Sequence, residues 1–305
     1  MKMRILITII LSSLCLTSYS QETQFDKGVE LFKSEDYSKA LNAFKKFQKK
    51  NDGLSVEFYI ASCHFKMKDF DVAKNHFVQI ISNYNDQIEV GWSMVNLGSC
   101  YRELNKIDST IFYYTSAGEL YPKSGAFFNL AQLYYSLDEF TKAKEQYDLA
   151  LNHDSTNAYY YAKRQEINFI LNDYGSALED MLLARKYDPK FYQASNEAFC
   201  HSMMENYLKA DSVFMLIYDD NDAIFLNNFG FNKHKMENTI EGIELIQKSL
   251  KINPNNSCAY RNLAVIYIDT DDAESACQNL QKAKELNFYT HYGNEVNELL
   301  VKFCK

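Results

Sequence analysis

Proline and glycine are both scarce in this sequence. The 305 residues include only 3 prolines and 10 glycines, whereas aromatic residues make up 15% of the chain. Sheets joined by tight turns need glycine and proline at those turns, so the shortage disfavours such folds. Helices joined by short polar loops need few of either residue, and we expect an all-α fold.

Basic residues are outnumbered by acidic ones. The chain has 32 lysines and arginines against 40 acidic residues, which gives a formal net charge of -8. A surface of that sign repels phosphate backbones, so the composition argues against nucleic acid as a partner.

Motifs that carry catalytic chemistry are also missing from the sequence. No nucleophile elbow, Ser-His-Asp pattern or glycine-rich phosphate loop occurs. The six histidines are scattered, without a carboxylate at metal-binding spacing. Acidic runs at 219–222 and 269–272 lack the spacing and glycine of a calcium loop and are expected in turns. We expect no enzyme activity, no metal site and no cofactor.

One apolar run opens the chain. Two basic residues precede an apolar segment over residues 5–16, and Ser18 and Ser20 supply small side chains before a cut at Gln21. This order is typical of a secretory signal peptide, and the run is shorter than the roughly 20 residues that span a bilayer. We expect residues 1–20 to be removed, leaving an exported chain without a transmembrane segment, periplasmic or secreted.

A repeated pattern accounts for most of the remaining chain. It is clearest from Ser124 to Asn157, where bulky residues recur at helical spacing with alanines between them. We number repeat positions from Ser124 as position 1. The pattern begins eight times, at Gln21, Leu54, Gly91, Ser124, Ala158, Phe191, Ala223 and Ser257.

Two repeat positions keep a constant size in all eight copies. A small residue at position 20 lets two helices approach, and a large one at position 24 fills the groove beside it. The small residues are Ala40, Ala73, Thr110, Ala143, Ala177, Ala210, Gly242 and Ala276. The large residues are Phe44, Phe77, Tyr114, Tyr147, Met181, Phe214, Ile246 and Leu280. All three prolines, Pro122, Pro189 and Pro254, fall at position 32, where proline ends one helix and precedes the next.

This order of aromatic, Leu-Ala, Tyr, Ala, aromatic and Ala resembles the tetratricopeptide repeat signature, with Ser155 in place of the usual proline. The resemblance implies a right-handed superhelical solenoid of helix-turn-helix repeats. We expect about eight repeats over residues 21–290 and a capping helix within residues 291–305. The interval between the second and third repeats is three residues longer than 34, and we expect a longer loop at Tyr84–Glu89.

The cysteines fall into two groups. Cys63, Cys100 and Cys200 share repeat position 10. Equivalent positions in neighbouring repeats are farther apart than the roughly 7 Å Cα limit for a disulfide, so we expect small buried hydrophobic residues there. Near the C-terminus, Cys277 and Cys304 can form a bridge in an oxidising compartment or remain thiols.

Asparagine recurs at repeat position 6. The family resemblance implies that first helices line a concave groove and that position 6 faces it. A column of carboxamides can donate to and accept from an extended peptide backbone. This column is similar to the asparagine ladder of O-linked N-acetylglucosamine transferases; alternatively, the asparagines simply face water. The residues are Asn96, Asn129, Lys163 (in repeat five), Asn196, Asn228 and Asn262.

Aromatic and basic residues accompany this column at positions 2, 5, 9 and 12, and such residues are enriched at binding hot spots. The candidates for binding are Trp92, Arg102, Phe128, Tyr135, Tyr192 and Arg261, with Phe58, Phe65, Tyr159, Phe169, Phe199 and Phe231 beside them. We expect a non-catalytic scaffold that binds an extended peptide or protein segment in the groove, in an envelope or extracellular assembly. The alternative is a structural spacer or assembly-factor subunit that contacts partners through its convex face and edges. The sequence predicts no oligomeric state.

Overall fold

The computed structural model describes residues 24–49, 53–288 and 293–304. The predicted signal peptide, residues 1–20, lies outside these ranges. All regular structure in the described ranges is helical, with seventeen α-helices, which confirms the all-α prediction. The chain divides into two compact units, one ending at Thr156 and the other beginning at Asn157. This division falls between the fourth and fifth predicted repeats.

Unit 1 contains four helix pairs. In order they are α1 (24–33), α2 (Tyr37–Gln48), α3 (Leu54–Lys66), α4 (Phe70–Asn83), α5 (Gln87–Glu103), α6 (Ile107–Leu120), α7 (Ala126–Ser136) and α8 (Phe140–His153). From α2 onward each helix packs against the next along the chain. The first helices α3 and α5 also contact each other directly, so they form one continuous face.

Unit 2 contains four further pairs and one terminal helix. They are α9 (Ala158–Ile170), α10 (Tyr174–Tyr187), α11 (Ala194–Met203), α12 (Tyr207–Leu216), α13 (Ala223–Lys235), α14 (Thr239–Ile252), α15 (Ser257–Asp269), α16 (Ala273–Glu285) and α17 (Glu295–Phe303). Successive helices pack together, and α13 also contacts the first helices of its neighbouring repeats, α11 and α15. No helix in the described ranges combines the length and apolar character needed to cross a bilayer.

The packing inside each pair follows the predicted size pattern. All eight small residues at position 20 are buried, and all eight large residues at position 24 are at most 1% exposed. Each first helix therefore meets its second helix over a small side chain, while the large side chain fills the adjoining core. The helix-pair repeat is confirmed.

The turn inside each pair has one backbone geometry throughout. Eight non-glycine residues at repeat position 15 have a left-handed conformation, with φ between 56° and 67°. The amide of the next residue donates to a carbonyl five residues back, as from Asp69 to His64 at 2.9 Å. This is the Schellman ending of a helix, which reverses the chain sharply enough for the second helix to pack back. The eight residues are Glu35, Lys68, Asn105, Asp138, Asn172, Glu205, Glu237 and Asp271.

The expected long loop at Tyr84–Glu89 is wrong. Helix α4 ends at Asn83 and α5 begins at Gln87, so only three residues separate them. The Asp86 carboxylate accepts hydrogen bonds from the amides of Ile88 and Glu89, which starts the helix early. The extra residues therefore lengthen α5 to 17 residues.

The terminal helix α17 closes the last repeat. Val296 is buried in a cluster with Leu280 and Phe288. A disulfide joins Cys304, just after α17, to Cys277 in α16, with the two Cα atoms 5.6 Å apart. This terminal helix is thus covalently attached to the last helix pair. The boundaries of the array at residues 21–290 stay a prediction.

Replacing Ala143 with arginine should destabilise unit 1. This side chain is 0% exposed between α7 and α8, so arginine would either overpack the pair or bury an unpaired charge. We expect a loss of about 3 kcal/mol or more in the free energy of unfolding, measured by denaturant titration. Thr141→Arg, on the exposed side of the same helix, is the matched control. Equal stability of the two variants would contradict the packing.

Replacing Gly230 with alanine should also destabilise the chain. A Cβ atom there would lie 2.6 Å from the Gly242 carbonyl oxygen and 2.7 Å from Ile246 Cγ1, because two glycines face each other between α13 and α14. Alanine normally stabilises a helix interior relative to glycine, so a loss of about 1–3 kcal/mol would report this contact. Gly53→Ala, where nothing lies within 4 Å of the new Cβ, should leave the denaturation midpoint nearly unchanged.

Candidate functional site

In unit 1 the candidate residues of repeat three lie on α5. The Trp92 ring is 41% exposed, and the Asn96 amide donates to the Trp92 carbonyl oxygen at 2.8 Å. Arg102 is exposed, with its guanidinium 3.5 Å from the Glu103 carboxylate. The Trp92 indole ring therefore lies one helical turn from the Asn96 carboxamide. The oxygen of that carboxamide can accept a hydrogen bond from a partner.

Repeat four continues this face on α7. Tyr135 is 37% exposed, and its ring meets the edge of the Phe140 ring with centroids 5.7 Å apart. Phe128 and Asn129 are half-buried, and the Phe128 ring packs edge-to-face on Tyr147 at 6.0 Å. The rings at positions 5 and 12 therefore lie on the same helix as the amide at position 6.

Two buried tyrosines connect this face to the core. The Tyr114 hydroxyl lies 2.9 Å from Ser99 Oγ, and the Tyr147 hydroxyl accepts a hydrogen bond from the Gln132 amide. Ser99 and Gln132 both stand at position 9, and both tyrosines stand at position 24. In both repeats a polar residue at position 9 thus contacts the buried hydroxyl of the tyrosine at position 24.

Repeat five of unit 2 contains a buried ion pair that the sequence analysis did not identify. The Arg164 guanidinium donates to both Asp180 oxygens, at 2.9 and 2.6 Å, and Asn168 donates to Asp180 at 2.9 Å. Asp180 is 1% exposed, and Gln165, the one residue at position 8 that is neither glycine nor alanine, is also buried. Because the buried Asp180 carboxylate is held by Arg164 and Asn168 inside the repeat, we assign the pair to packing rather than binding.

The predicted residues of repeats five and six make local contacts. Lys163 forms an ion pair with Glu166 at 2.8 Å, and Asn196 donates to the Gln193 side chain at 2.7 Å. The Tyr192 hydroxyl donates to the Glu197 carboxylate. Lys163, Asn196 and Tyr192 are all half-buried, so each keeps part of its surface in solvent.

Repeats seven and eight join their asparagines to one another. Asn228 accepts from Asn227 at 3.2 Å, and Asn262 donates to Asn227 at 3.0 Å. Arg261 donates to Asn262 at 2.9 Å and forms an ion pair with Glu295 of α17. Asn262 is only 8% exposed, which differs from the exposed position expected for a residue lining a groove. It serves the packing of α15 on α13, while Asn228 remains half-buried.

The cysteines at position 10 behave as predicted. All three are completely buried, and burial raises the pKa of each thiol to about 12. Such thiols stay protonated and unreactive near neutral pH. Within residues 24–49, 53–288 and 293–304, no three potential metal ligands come together. The thiols are Cys63, Cys100 and Cys200.

Models of the tetratricopeptide repeat match four segments of the chain. One model matches residues 55–86 and 92–124, a second matches 124–157, and a third matches 245–278. These four segments are similar to tetratricopeptide repeats. The match at 124–157 coincides with the predicted fourth repeat, whereas 245–278 straddles the predicted seventh and eighth. No curated protein matches this chain.

Several solved structures align with this chain. A tetratricopeptide repeat protein from Parabacteroides merdae is 18% identical and aligns with a TM-score of 0.52, over 94% of this chain and 100% of that one. This likeness shows a shared fold. The C-terminal part of a tetratricopeptide repeat protein from Cytophaga hutchinsonii is 13% identical, over 89% and 98% of the two chains, with a TM-score of 0.49. The TPR2AB domain of yeast Sti1, in its pHSP90 complex, is 16% identical, over 94% and 100%, with a TM-score of 0.37.

Removing the Ser99 hydroxyl should destabilise repeat three. Ser99→Ala leaves the buried Tyr114 hydroxyl without its side-chain partner, and we expect a loss of about 1–3 kcal/mol in the free energy of unfolding. Adding Tyr114→Phe to Ser99→Ala removes the unsatisfied group and should recover part of that loss. A double-mutant cycle measured by denaturant unfolding tests the pair, and purely additive effects would contradict the coupling.

Proposed function

We propose that this chain is a non-catalytic scaffold that holds an extended segment of a partner protein against its first helices. The main support is the exposure of two large aromatic side chains on the same first helices as two carboxamides, in repeats three and four. Trp92 and Tyr135 stay 41% and 37% exposed on first helices, whereas the large side chains at position 24 are at most 1% exposed. Aromatic anchors of this kind supply most of the binding energy at protein interfaces.

The amides near these rings are suited to a peptide backbone. A carboxamide both donates and accepts, so Asn96 and Asn129 can pair with a backbone carbonyl or amide whatever the side chains of the peptide. Each neutral hydrogen bond contributes only about 0.5–1.5 kcal/mol net. The rings therefore provide affinity on this face, and the amides align the backbone.

Unit 2 offers an aromatic ring and basic side chains on its first helices. Lys235 Nζ and the Arg261 guanidinium lie 5.3 Å and 5.5 Å from the centroid of the Phe231 ring. Each also pairs with a carboxylate, of Asp269 and Glu295 respectively. Asn196 and Asn228, half-buried on neighbouring first helices, are its remaining predicted amides. We propose that this face binds a segment with hydrogen-bond acceptors or acidic side chains.

The proposal includes export of the chain. The signal-like residues 1–20 support it, and so does the Cys277–Cys304 disulfide, because disulfides persist in oxidising compartments and are rare in the cytosol. We propose a periplasmic or secreted location and a role in an envelope or extracellular assembly.

A spacer function is the second candidate, and exposed apolar residues on second helices favour it. Leu208 and Ile240 occupy the same repeat position on α12 and α14 and are 76% and 77% exposed, and Leu216 is 84% exposed. Large apolar side chains left this open are found at contact sites for partners. Under this hypothesis the second helices contact the partner and the first helices do not take part in binding.

The two candidates predict opposite effects of matched variants. We would select binders for the folded chain from a phage-displayed library of random peptides and measure their affinities by fluorescence polarisation. Under the proposed function, Trp92→Ala with Tyr135→Ala should abolish binding of peptides held by unit 1. For peptides held by unit 2, Asn196→Ala with Asn228→Ala should weaken binding about 5- to 150-fold, as expected for two lost hydrogen bonds.

The control for both is Leu208→Ser with Ile240→Ser on the second helices. This variant should bind the selected peptides like the unchanged chain, with a matching circular dichroism spectrum. The opposite pattern, in which only the second-helix variant loses binding, would support the spacer. A folded chain that selects no peptide would contradict the proposed function.

A further inference from the structure

A continuous chain of side-chain hydrogen bonds runs through unit 2 from α17 to the first-helix face. Glu295 on α17 receives both arms of the Arg261 guanidinium, with the Nε contact at 3.0 Å. Arg261 donates to Asn262, Asn262 to Asn227, and Asn227 to Asn228, at 2.9, 3.0 and 3.2 Å. The chain therefore connects a carboxylate on the cap to the amide at position 6 of repeat seven.

The arginine determines the direction of every bond in this chain. A guanidinium has only donors, so Asn262 must turn its oxygen toward Arg261 and its amide nitrogen toward Asn227. Asn227 must then accept with its oxygen and donate to the oxygen of Asn228. Turning one amide over would place donor against donor in a region where Asn227 and Asn262 are 3% and 8% exposed, which is costly.

The last amide of this hydrogen-bond series, that of Asn228, consequently has a free N–H donor among the described residues. The oxygen of Asn228 already accepts a hydrogen bond from Asn227, whereas its nitrogen makes no hydrogen bond within the described part of the protein. An arginine at the start of a bonded series also polarises the amides that follow and strengthens the terminal N–H group as a donor.

The cap keeps Glu295 in place. Helix α17 has nine residues, too few to be stable alone in water, but Val296 is buried next to Glu295 and the disulfide holds Cys304 at the other end. Glu295 is thus held on a braced helix and aligns Arg261 from outside the repeat.

We propose that Glu295 is a positioning residue for the binding face of unit 2. Acting through Arg261 and two buried asparagines, it turns the N–H group of Asn228 outward, so this point selects a partner group that accepts a hydrogen bond, a peptide carbonyl or a carboxylate. The inference rests on the proposed function only in taking this face as the one that binds.

The test exchanges the two charges and reads the amide of Asn228 by NMR. Arg261→Glu combined with Glu295→Arg keeps the ion pair but places an acceptor at the start of the hydrogen-bond series. Each amide in the series should therefore reverse, and the side-chain nitrogen of Asn228 should donate to Asn227. The probes are N,N-dimethylacetamide, which only accepts, and methylammonium, which only donates. The Asn228→Ala spectrum assigns the signal.

In the unchanged chain the Asn228 amide protons should shift with N,N-dimethylacetamide and not with methylammonium. In the charge-exchanged variant this shift should disappear, and hydrogen exchange of the amide should slow about 2- to 10-fold, the effect of one hydrogen bond. Arg261→Lys, which keeps a donor, should behave like the unchanged chain. The Asn196 amide, bonded to Gln193 outside this chain, is the internal control.

A shift that survives the charge exchange in a folded variant would overturn the proposal. If the exchanged variant does not fold, Glu295→Ala gives the same decision, because loss of the anchor should weaken the shift and an equal shift would contradict it. The readout uses no partner peptide. A negative result in this NMR test therefore does not contradict the proposed function. If the Asn228 amide shifts as expected but the protein binds no peptide, only the proposed function is contradicted.

Discussion

The close approach of two helices over one small side chain is the constraint on which both units depend. Position 20 can hold only a small residue because the facing helix occupies the space, and in repeat seven even a methyl group on Gly230 would collide with Gly242. The large residue at position 24 then fills the groove that remains. All eight pairs obey this rule, and where first helices of successive repeats touch, as α3 touches α5 and α13 touches α15, their outward side chains become neighbours.

This constraint was predictable because it is local and repeated. Size alternation at positions 20 and 24, and the buried cysteines at position 10, can be read from a single chain. The residues around Asp86 were harder, because a period longer by three residues does not indicate whether a loop or a helix takes up the excess. Asp86 itself carried the signal, since an aspartate before Ile88 and Glu89 is a good N-cap.

The candidate face could be predicted only in part. Repeat position indicates that Asn228 and Asn262 lie on first helices, but their exposure depends on neighbours from other repeats, and Asn262 is buried beneath Arg261. The Arg164–Asp180 pair joins residues 16 apart whose geometry no local pattern specifies. One contact could have been predicted from the sequence, because each tyrosine at position 24 occurs with a polar residue at position 9 of the same repeat.

The attached cap has a consequence for self-assembly. The end of a helical-repeat array is an apolar surface shaped to receive another repeat, and head-to-tail stacking of such ends produces open-ended fibres. In this chain Val296 lies over Leu280 and Phe288, and the disulfide prevents α17 from leaving. The covalent bond therefore keeps the apolar surface of the last repeat covered, and we expect it to disfavour stacking of a second molecule on that surface.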